Sequence, residues 1–211
     1  MPASRLLSIL LFTLLTPLLW GRTPIRGDNS VEAEQMYQFV AAHNPDFDPA
    51  VAEAFFTVGQ KYGIRGDIAL CQAIIETGWF RFDNGTAVTP DRHNYCGLGV
   101  SRRGDVGCSF ETVEQGVTAM IQHLYAYSCR KPLPKGEELI DPRFRYVERG
   151  SAQTWEALAG RWAANLNYGQ KILSIYNKML IHKAKNDKQN IAELEEATQE
   201  EATEPTGTFF D

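Results

Sequence analysis

One carboxylate in this sequence stands where it could donate a proton to a ligand. Glu76 closes an apolar segment, IALCQAIIETG. Helical spacing puts Ala69, Gln72 and Ala73 on the stripe that leads to this carboxylate. Small residues there would let a bulky ligand approach, and desolvation in an apolar neighbourhood raises the pKa of a carboxyl group, which suits a general acid near neutral pH. The spacing alone is equally compatible with a Glu that reaches solvent or pairs with Arg81.

The cysteines leave two alternatives for the segment after this helix. The chain holds four of them, Cys71, Cys96, Cys108 and Cys129. Cys96 and Cys108 flank a polar, glycine-containing stretch typical of a hairpin, whose two strands can bring side chains within reach of a disulfide. His93 and Cys96 also have ligand-like spacing, but structural zinc needs four ligands and only a distant His123 remains. We favour the disulfide and expect no metal and no cofactor. The four histidines form no triad motif and are expected to be structural or surface residues.

Helical signals surround this segment on both sides. Asp48 is a helix cap followed by Pro at the first helical position, Asp67 is expected to cap the helix that carries Glu76, and Thr112 is expected to open a further helix. The helices predicted from apolar spacing cover residues 31–43, 49–62, 68–77, 112–124, 154–164 and 168–181. Residues 80–110 are rich in Gly, Asn, Asp and Arg and favour a small β-hairpin lobe. The expected class is α+β and mostly α.

The two ends of the chain differ in composition from its middle. A basic residue, Arg5, followed by an apolar run over residues 6–20 indicates a secretory signal peptide or N-terminal anchor within residues 1–27. Residues 182–211 hold three lysines and eight acidic residues, so their net charge of −5 equals that of the entire chain. This composition predicts a disordered acidic tail. Residues 28–181 would then form one domain, which carries no basic stripe for nucleic acid.

Four stretches of the chain resemble the glucosaminidase family of peptidoglycan hydrolases, the endo-β-N-acetylglucosaminidase-like group of glycoside hydrolase family 73. ALCQAIIETGWF resembles the family's signature helix, and NYCGLGV resembles the turn that starts its β lobe. SFETVEQGV is similar to the entry into the next helix, and RWAANLNYGQKI is similar to the closing motif, usually written Tyr-Ala-Thr-Asp-x-x-Tyr. The four occur in the family's order across roughly residues 30–180, which is far more specific than any one of them.

The resemblance implies roles for particular residues. Glu76 would be the catalytic acid and Tyr168 a catalytic helper. Gln72, Trp79, Asn94 and Trp162 would line the substrate site, although aromatic residues after a helix are more often core and Asn94 could instead brace the lobe turn. The first Tyr of the closing motif is Trp162 here, as in a branch that shares DPRFRYV over residues 141–147. An indole cannot act as a phenol.

The implied fold is a lysozyme-like helical domain with a hairpin lobe. The implied function is an exported, periplasmic or extracellular hydrolase that cuts peptidoglycan on the reducing side of N-acetylglucosamine. We expect a monomer that binds peptidoglycan glycan strands and no nucleic acid, and that meets the membrane only if the N-terminal segment is retained. A lytic transglycosylase and a non-catalytic glycan-binding module are the alternatives.

A second catalytic carboxylate is not evident in the sequence. Between Glu76 and the next helix the acidic candidates are Asp83, Asp91, Asp105 and Glu111, and none matches the family's pattern. The 2-acetamido oxygen of the substrate could take this role by attacking the anomeric carbon, as in substrate-assisted glycosidases.

Overall fold

Five α-helices, joined by loops and short 3₁₀ turns, form the described part of the chain. The computed structural model describes residues 22–83, 88–102 and 104–203, with side chains of the last helix as far as Glu195. The helices are α1 (Ala33–Ala41), α2 (Pro49–Tyr62), α3 (Gly66–Thr77), α4 (Val113–Ser128) and α5 (Tyr168–Thr203). The 3₁₀ turns are Pro90–Arg92, Phe144–Tyr146 and Glu156–Leu158.

Helix α3 lies at the centre of the molecule. It packs against α2 and α5, and α4 packs against α2. Gly66 makes the close contact with α2 possible, because a Cβ atom there would lie 1.9 Å from the carbonyl oxygen of Phe55. Ile68, Leu70 and Ile74 are among its fully buried side chains. A helix buried on nearly every side holds whatever it carries at its end in a fixed position.

Local signals start and stop the helices largely where the sequence predicts. The Asp48 side chain accepts a hydrogen bond from the Ala50 amide at the start of α2, and Thr112 caps α4 in the same way. Gly78, in the left-handed conformation, ends α3 directly after the turn that holds Glu76. The prediction for α3 differs in one respect, because Asp67 does not cap it. This buried carboxylate instead accepts hydrogen bonds from the Ser30 amide and from Arg65.

The predicted β-hairpin lobe is absent from the described residues. Residues 88–102 and 104–110 form loops and a short 3₁₀ turn, and the β pairing in the described parts of the chain is confined to isolated bridges elsewhere. The reason is the buried side chain of Asn94, whose amide nitrogen donates to the carbonyls of Leu98 and Cys108 and whose oxygen accepts from the amides of Cys96 and Leu98. These bonds replace a strand ladder with a side-chain-centred turn.

The predicted Cys96–Cys108 disulfide is also wrong, because all four cysteines are free thiols. The Cys108 amide pairs with the carbonyl of Leu98 at 2.7 Å, and its sulfur lies against Gly99. Cys96 is buried in the core. The turn therefore sets Cys108 opposite Leu98 rather than opposite Cys96.

A further predicted helix, over residues 154–164, is replaced by a 3₁₀ turn and a tight loop. Only Glu156–Leu158 is helical, and Gly160 then takes a left-handed conformation. The fully buried Trp155 anchors this segment in the core. The loop that follows carries Trp162, whose amide bonds to the carbonyl of Leu158 at 2.8 Å.

The folded region extends beyond the predicted boundaries at both ends. Ile25 is fully buried and bonded through its backbone to Gln153 and Arg65, so residues expected to precede the domain belong to its core. Helix α5 continues to Thr203, so the segment expected to be disordered from residue 182 is helical over most of its length. The part of α5 that follows residue 182 contacts α1, as in the hydrogen bond from Gln35 to Asp187.

The predicted signal segment lies mostly outside the described residues, since residues 1–21 are not described. Among the helices that are described, none combines the length and the apolar character needed to cross a membrane.

Candidate active site

A cleft of about 420 Å³ opens at the end of α3. Glu76 and the loop over residues 96–101 line this cleft. Its lining also includes His123 and Tyr127 of α4, the segment around Arg143 and the loop that carries Trp162. Four separate parts of the chain therefore meet around one carboxylate.

Glu76 is held by two hydrogen-bond donors on the same oxygen atom. The indole nitrogen of Trp162 donates to Oε1 at 3.2 Å, and the phenol of Tyr168 donates to the same atom. Two donors on one oxygen fix the orientation of the carboxyl group, and the other oxygen, Oε2, is left to face the cleft or to carry a proton.

Tyr168 is oriented in turn by Gln72 on α3. The amide nitrogen of Gln72 donates to the phenol oxygen at 3.0 Å, so the phenol accepts from the amide and uses its own proton for Glu76. Both side chains are buried, and Tyr168 is the first residue of α5. Burial, followed by the neighbouring Glu76, raises the pKa of Tyr168 well above its ordinary value, so the phenol stays protonated as a donor.

The surroundings of Glu76 favour its neutral form. Burial raises the pKa of this carboxyl group above its ordinary value, and the hydrogen bonds from Tyr168 and Trp162 act in the opposite direction without cancelling the effect. A carboxyl group with a raised pKa retains a proton into the pH range where an exposed one is ionised. The arrangement can therefore supply a general acid to a ligand in the cleft.

The structure brings together four of the six site residues expected from the sequence. Glu76, Trp162 and Tyr168 are in direct contact, and Gln72 lies behind Tyr168 rather than on the cleft surface. Tyr168 and Gln72 are not among the residues that line the cleft. They can therefore affect a bound ligand only by positioning Glu76, to which Tyr168 bonds directly and Gln72 through Tyr168.

The other two expected site residues lie elsewhere. Trp79 stacks on His43 with ring centroids 3.8 Å apart, packs against Phe39, and does not line the cleft. Asn94 is fully buried and serves the turn described above. Asn94 therefore braces the turn, which is the alternative that the sequence left open for it. Neither Trp79 nor Asn94 is placed to contact a ligand beside Glu76.

None of the acidic residues considered as a second carboxylate lines the cleft in the described part of the chain. Asp105 accepts hydrogen bonds from the amides of Ser101 and Arg102, which hold its pKa below the ordinary value. Asp91 and Glu111 are exposed, and Asp83 lies exposed beside Gly78. A second ionisable group near Glu76 has to come from another element.

Such a group is present on α4, where no motif had singled it out. His123 on α4 lines the cleft, and its Nδ1 atom lies 2.7 Å from Oδ2 of the fully buried Asp141. The imidazole meets the ring of Trp162 edge to face, at 5.1 Å between centroids. The expectation that the histidines are merely structural did not anticipate this pair. The segment DPRFRYV, which begins at Asp141, was the nearest available signal.

The metal alternative for His93, Cys96 and Cys108 has no support in the geometry. Within residues 22–83, 88–102 and 104–195, no group of three or more His, Cys, Asp or Glu side chains is arranged to hold a metal ion.

Comparison with known proteins identifies the family of the chain. Residues 52–180 match the family model Glucosaminidase, described as mannosyl-glycoprotein endo-β-N-acetylglucosaminidase. The chain is similar to an uncharacterized protein of Borreliella burgdorferi strain B31, with 32% identity over 153 residues that cover 71% of this chain and 73% of the relative. No solved structure matches. The matched residues include the whole of α3 and every residue that bonds to Glu76, and the chain belongs to the glucosaminidase family.

Proposed function

We propose that this protein is a hydrolase that cuts peptidoglycan glycan strands at the β-1,4 bond on the reducing side of N-acetylglucosamine. Membership of the glucosaminidase family supports a glycosidase that acts on peptidoglycan in general. The observation that carries the specific proposal is the half-buried Glu76 in the cleft, fixed by Trp162 and Tyr168. Glu76 would protonate the glycosidic oxygen while the bond to the anomeric carbon breaks.

The products of digestion test this proposal. Purified protein acting on peptidoglycan is expected to release fragments that borohydride reduces at N-acetylglucosamine, as seen by mass spectrometry. Anhydro-muramyl ends would instead identify a lytic transglycosylase, which also needs only one acid. Binding without any fragments would identify a non-catalytic module, although such a module has no need of an acid with a raised pKa.

We also propose that the protein is exported and works as a monomer in the periplasm or outside the cell. The apolar run over residues 6–20 supports export, because peptidoglycan lies outside the inner membrane. Fractionation of producing cells tests this location, and recovery in the cytoplasmic fraction alone would contradict it.

Tyr168→Phe is expected to move the alkaline limb of the activity profile to higher pH. An acid catalyst works in its protonated form, so kcat/KM falls as pH rises through the pKa of Glu76. The phenol donates to the ionised carboxylate and lowers that pKa, so its loss raises the pKa further. Turnover of peptidoglycan measured across the pH range shows the displacement.

The matched control for this variant is Tyr176→Phe, on the same helix. The Tyr176 hydroxyl contacts Arg65 instead of Glu76, so its removal should leave the alkaline limb in place. A displacement to lower pH in Tyr168→Phe, or the same displacement in both variants, would show that Tyr168 does not control the ionisation of Glu76.

A further inference from the structure

We propose that His123, held by Asp141, is a second functional group of the cleft and accepts a hydrogen bond from the acetamido N–H of the sugar bound beside Glu76. The inference rests on the proposed function, since it requires an N-acetylated sugar in the cleft. The proposal gives His123 part of the role of a second catalytic group, because none of the acidic residues considered for that role lines the cleft in the described part of the chain.

Asp141 determines which imidazole nitrogen carries the proton. Its side chain is fully buried, and a carboxylate can only accept, so the Nδ1 atom of neutral His123 must be the N–H that donates across the 2.7 Å contact. The other carboxylate oxygen accepts from the Arg143 amide at 2.8 Å, and the Asp141 amide bonds to Gln122 on α4. The carboxylate is therefore fixed on both sides.

The remaining nitrogen, Nε2, is then an acceptor on a side chain that lines the cleft. The His123 side chain is 13% exposed, and among the described residues no hydrogen bond to Nε2 is formed. The ring cannot turn away easily, because Trp162 and Tyr127 pack edge to face against it at 5.1 and 5.4 Å between centroids. Trp162 also bonds to Glu76, so the imidazole and the acid are positioned by one indole.

The chemistry of the expected substrate supplies a matching donor. The 2-acetamido group can attack the anomeric carbon through its oxygen only if its N–H is turned away from that carbon and held by an acceptor. Glu76 does not serve, because Oε1 already receives two hydrogen bonds and the acid is directed to the leaving oxygen. The imidazole of His123, backed by the buried carboxylate of Asp141, is an acceptor that lines the same cleft.

Asp141→Asn tests the proposal because it keeps the contacts and reverses the tautomer. The amide oxygen can still accept from the Arg143 amide, and the NH₂ group donates to Nδ1, so Nε2 becomes an N–H that meets the substrate N–H. We expect kcat/KM on peptidoglycan to fall by about 10–100-fold, the effect of one buried unsatisfied donor. Binding of an N-acetylglucosamine tetramer should weaken similarly, while binding of the glucose tetramer cellotetraose, whose 2-hydroxyl can either donate to or accept from Nε2, stays within about threefold.

Asp67→Asn is the matched control. Asp67 is equally buried and also bonds to a basic side chain, that of Arg65, but it lies in the first turn of α3 at the end opposite Glu76. The control should lose stability and keep kcat/KM within about threefold of wild type. Equal losses of both tetramers in Asp141→Asn would show a purely structural role and overturn the proposal.

Two further measurements apply even if Asp141→Asn fails to fold. Nitrogen-15 NMR of the wild-type imidazole should show hydrogen on Nδ1 when His123 is neutral, and hydrogen on Nε2 would overturn the proposal. The first-formed product should be the β anomer, while an α anomer would show that water, not the acetamido group, attacks. If the wild type releases no N-acetylglucosamine ends, the proposed function itself has failed. If the wild type does release such ends and Asp141→Asn has the same kcat/KM as wild type, only this inference has failed.

Discussion

Glu76→Gln is expected to remove glycan cleavage and leave the fold intact. The amide has the shape of the acid and can still accept from Trp162 and Tyr168 through its oxygen, but it cannot donate the proton that the leaving oxygen needs. General acid catalysis contributes roughly 10²–10⁴-fold, and glycosidic leaving groups depend on it heavily, so we expect a loss of about 10³-fold or more. A zymogram and a turbidity assay measure this loss.

The same substitution makes a prediction about stability. Burial raises the pKa of Glu76 in the folded state, so its contribution to stability is fully present below the pKa of the unfolded chain and is lost as pH rises through the folded pKa. At pH values above the folded pKa of Glu76 the ionised, desolvated carboxylate is therefore unfavourable, and there the neutral amide should melt at the same temperature as wild type or higher.

The control for Glu76→Gln is the same change at Glu53, an exposed residue of α2. That variant should keep wild-type activity. If Glu76→Gln itself keeps activity within tenfold of wild type, Glu76 is not the acid. If it unfolds, its hydrogen bonds contribute more to the fold than the geometry of the cleft suggests.

Gly116→Ala should strongly destabilise the packing of α4 against the segment that leads into the 96–101 loop. Gly116 lies in the first turns of α4, and a Cβ atom there would lie 1.7 Å from the carbonyl oxygen of His93. The contact is with backbone, so no side-chain rotation relieves it, and α4 must separate from the segment that leads into the 96–101 loop. We expect a loss of about 3 kcal/mol in the free energy of unfolding.

Urea denaturation measures this loss, and the activity of the folded fraction should fall as well, because residues that line the cleft move. Glu114→Ala, at an exposed position of the same helix, is the control and should change the free energy of unfolding by no more than about 0.5 kcal/mol. A Gly116→Ala protein that melts within two degrees of wild type, roughly what 0.5–1 kcal/mol would produce, would show that the helix and the loop separate easily.

Local sequence signals were sufficient for most of the helices and for the position of the candidate acid, Glu76. Asp48 before Pro49, Thr112 before α4 and Gly78 after α3 act on neighbouring backbone groups, so their effect can be predicted without knowing the fold. The apolar stripe that ends in Glu76 is likewise a property of one helix. Four motifs in order were enough to predict the family, which the match over residues 52–180 confirmed.

Local signals failed where a long-range contact outweighed them. Residues 154–164 have helical spacing, but Trp155 is buried in the core, and a left-handed Gly160 follows the short turn. The stretch around Cys96 and Cys108 has the composition of a hairpin, but four hydrogen bonds from Asn94 fold it into a turn. Residues after 182 have the composition of a disordered tail but extend a helix already anchored by α1 and α3.

The sequence by itself therefore determined which helix carries Glu76 and singled out Glu76 as the candidate acid, because both depend on neighbours three and four positions away. The tertiary structure alone decided what surrounds that acid. Trp162 and Tyr168 lie 86 and 92 residues from Glu76, and Asp141 lies 18 residues from His123. No periodicity links such positions, since they meet only when α3, α4, α5 and the loops between them pack around one core.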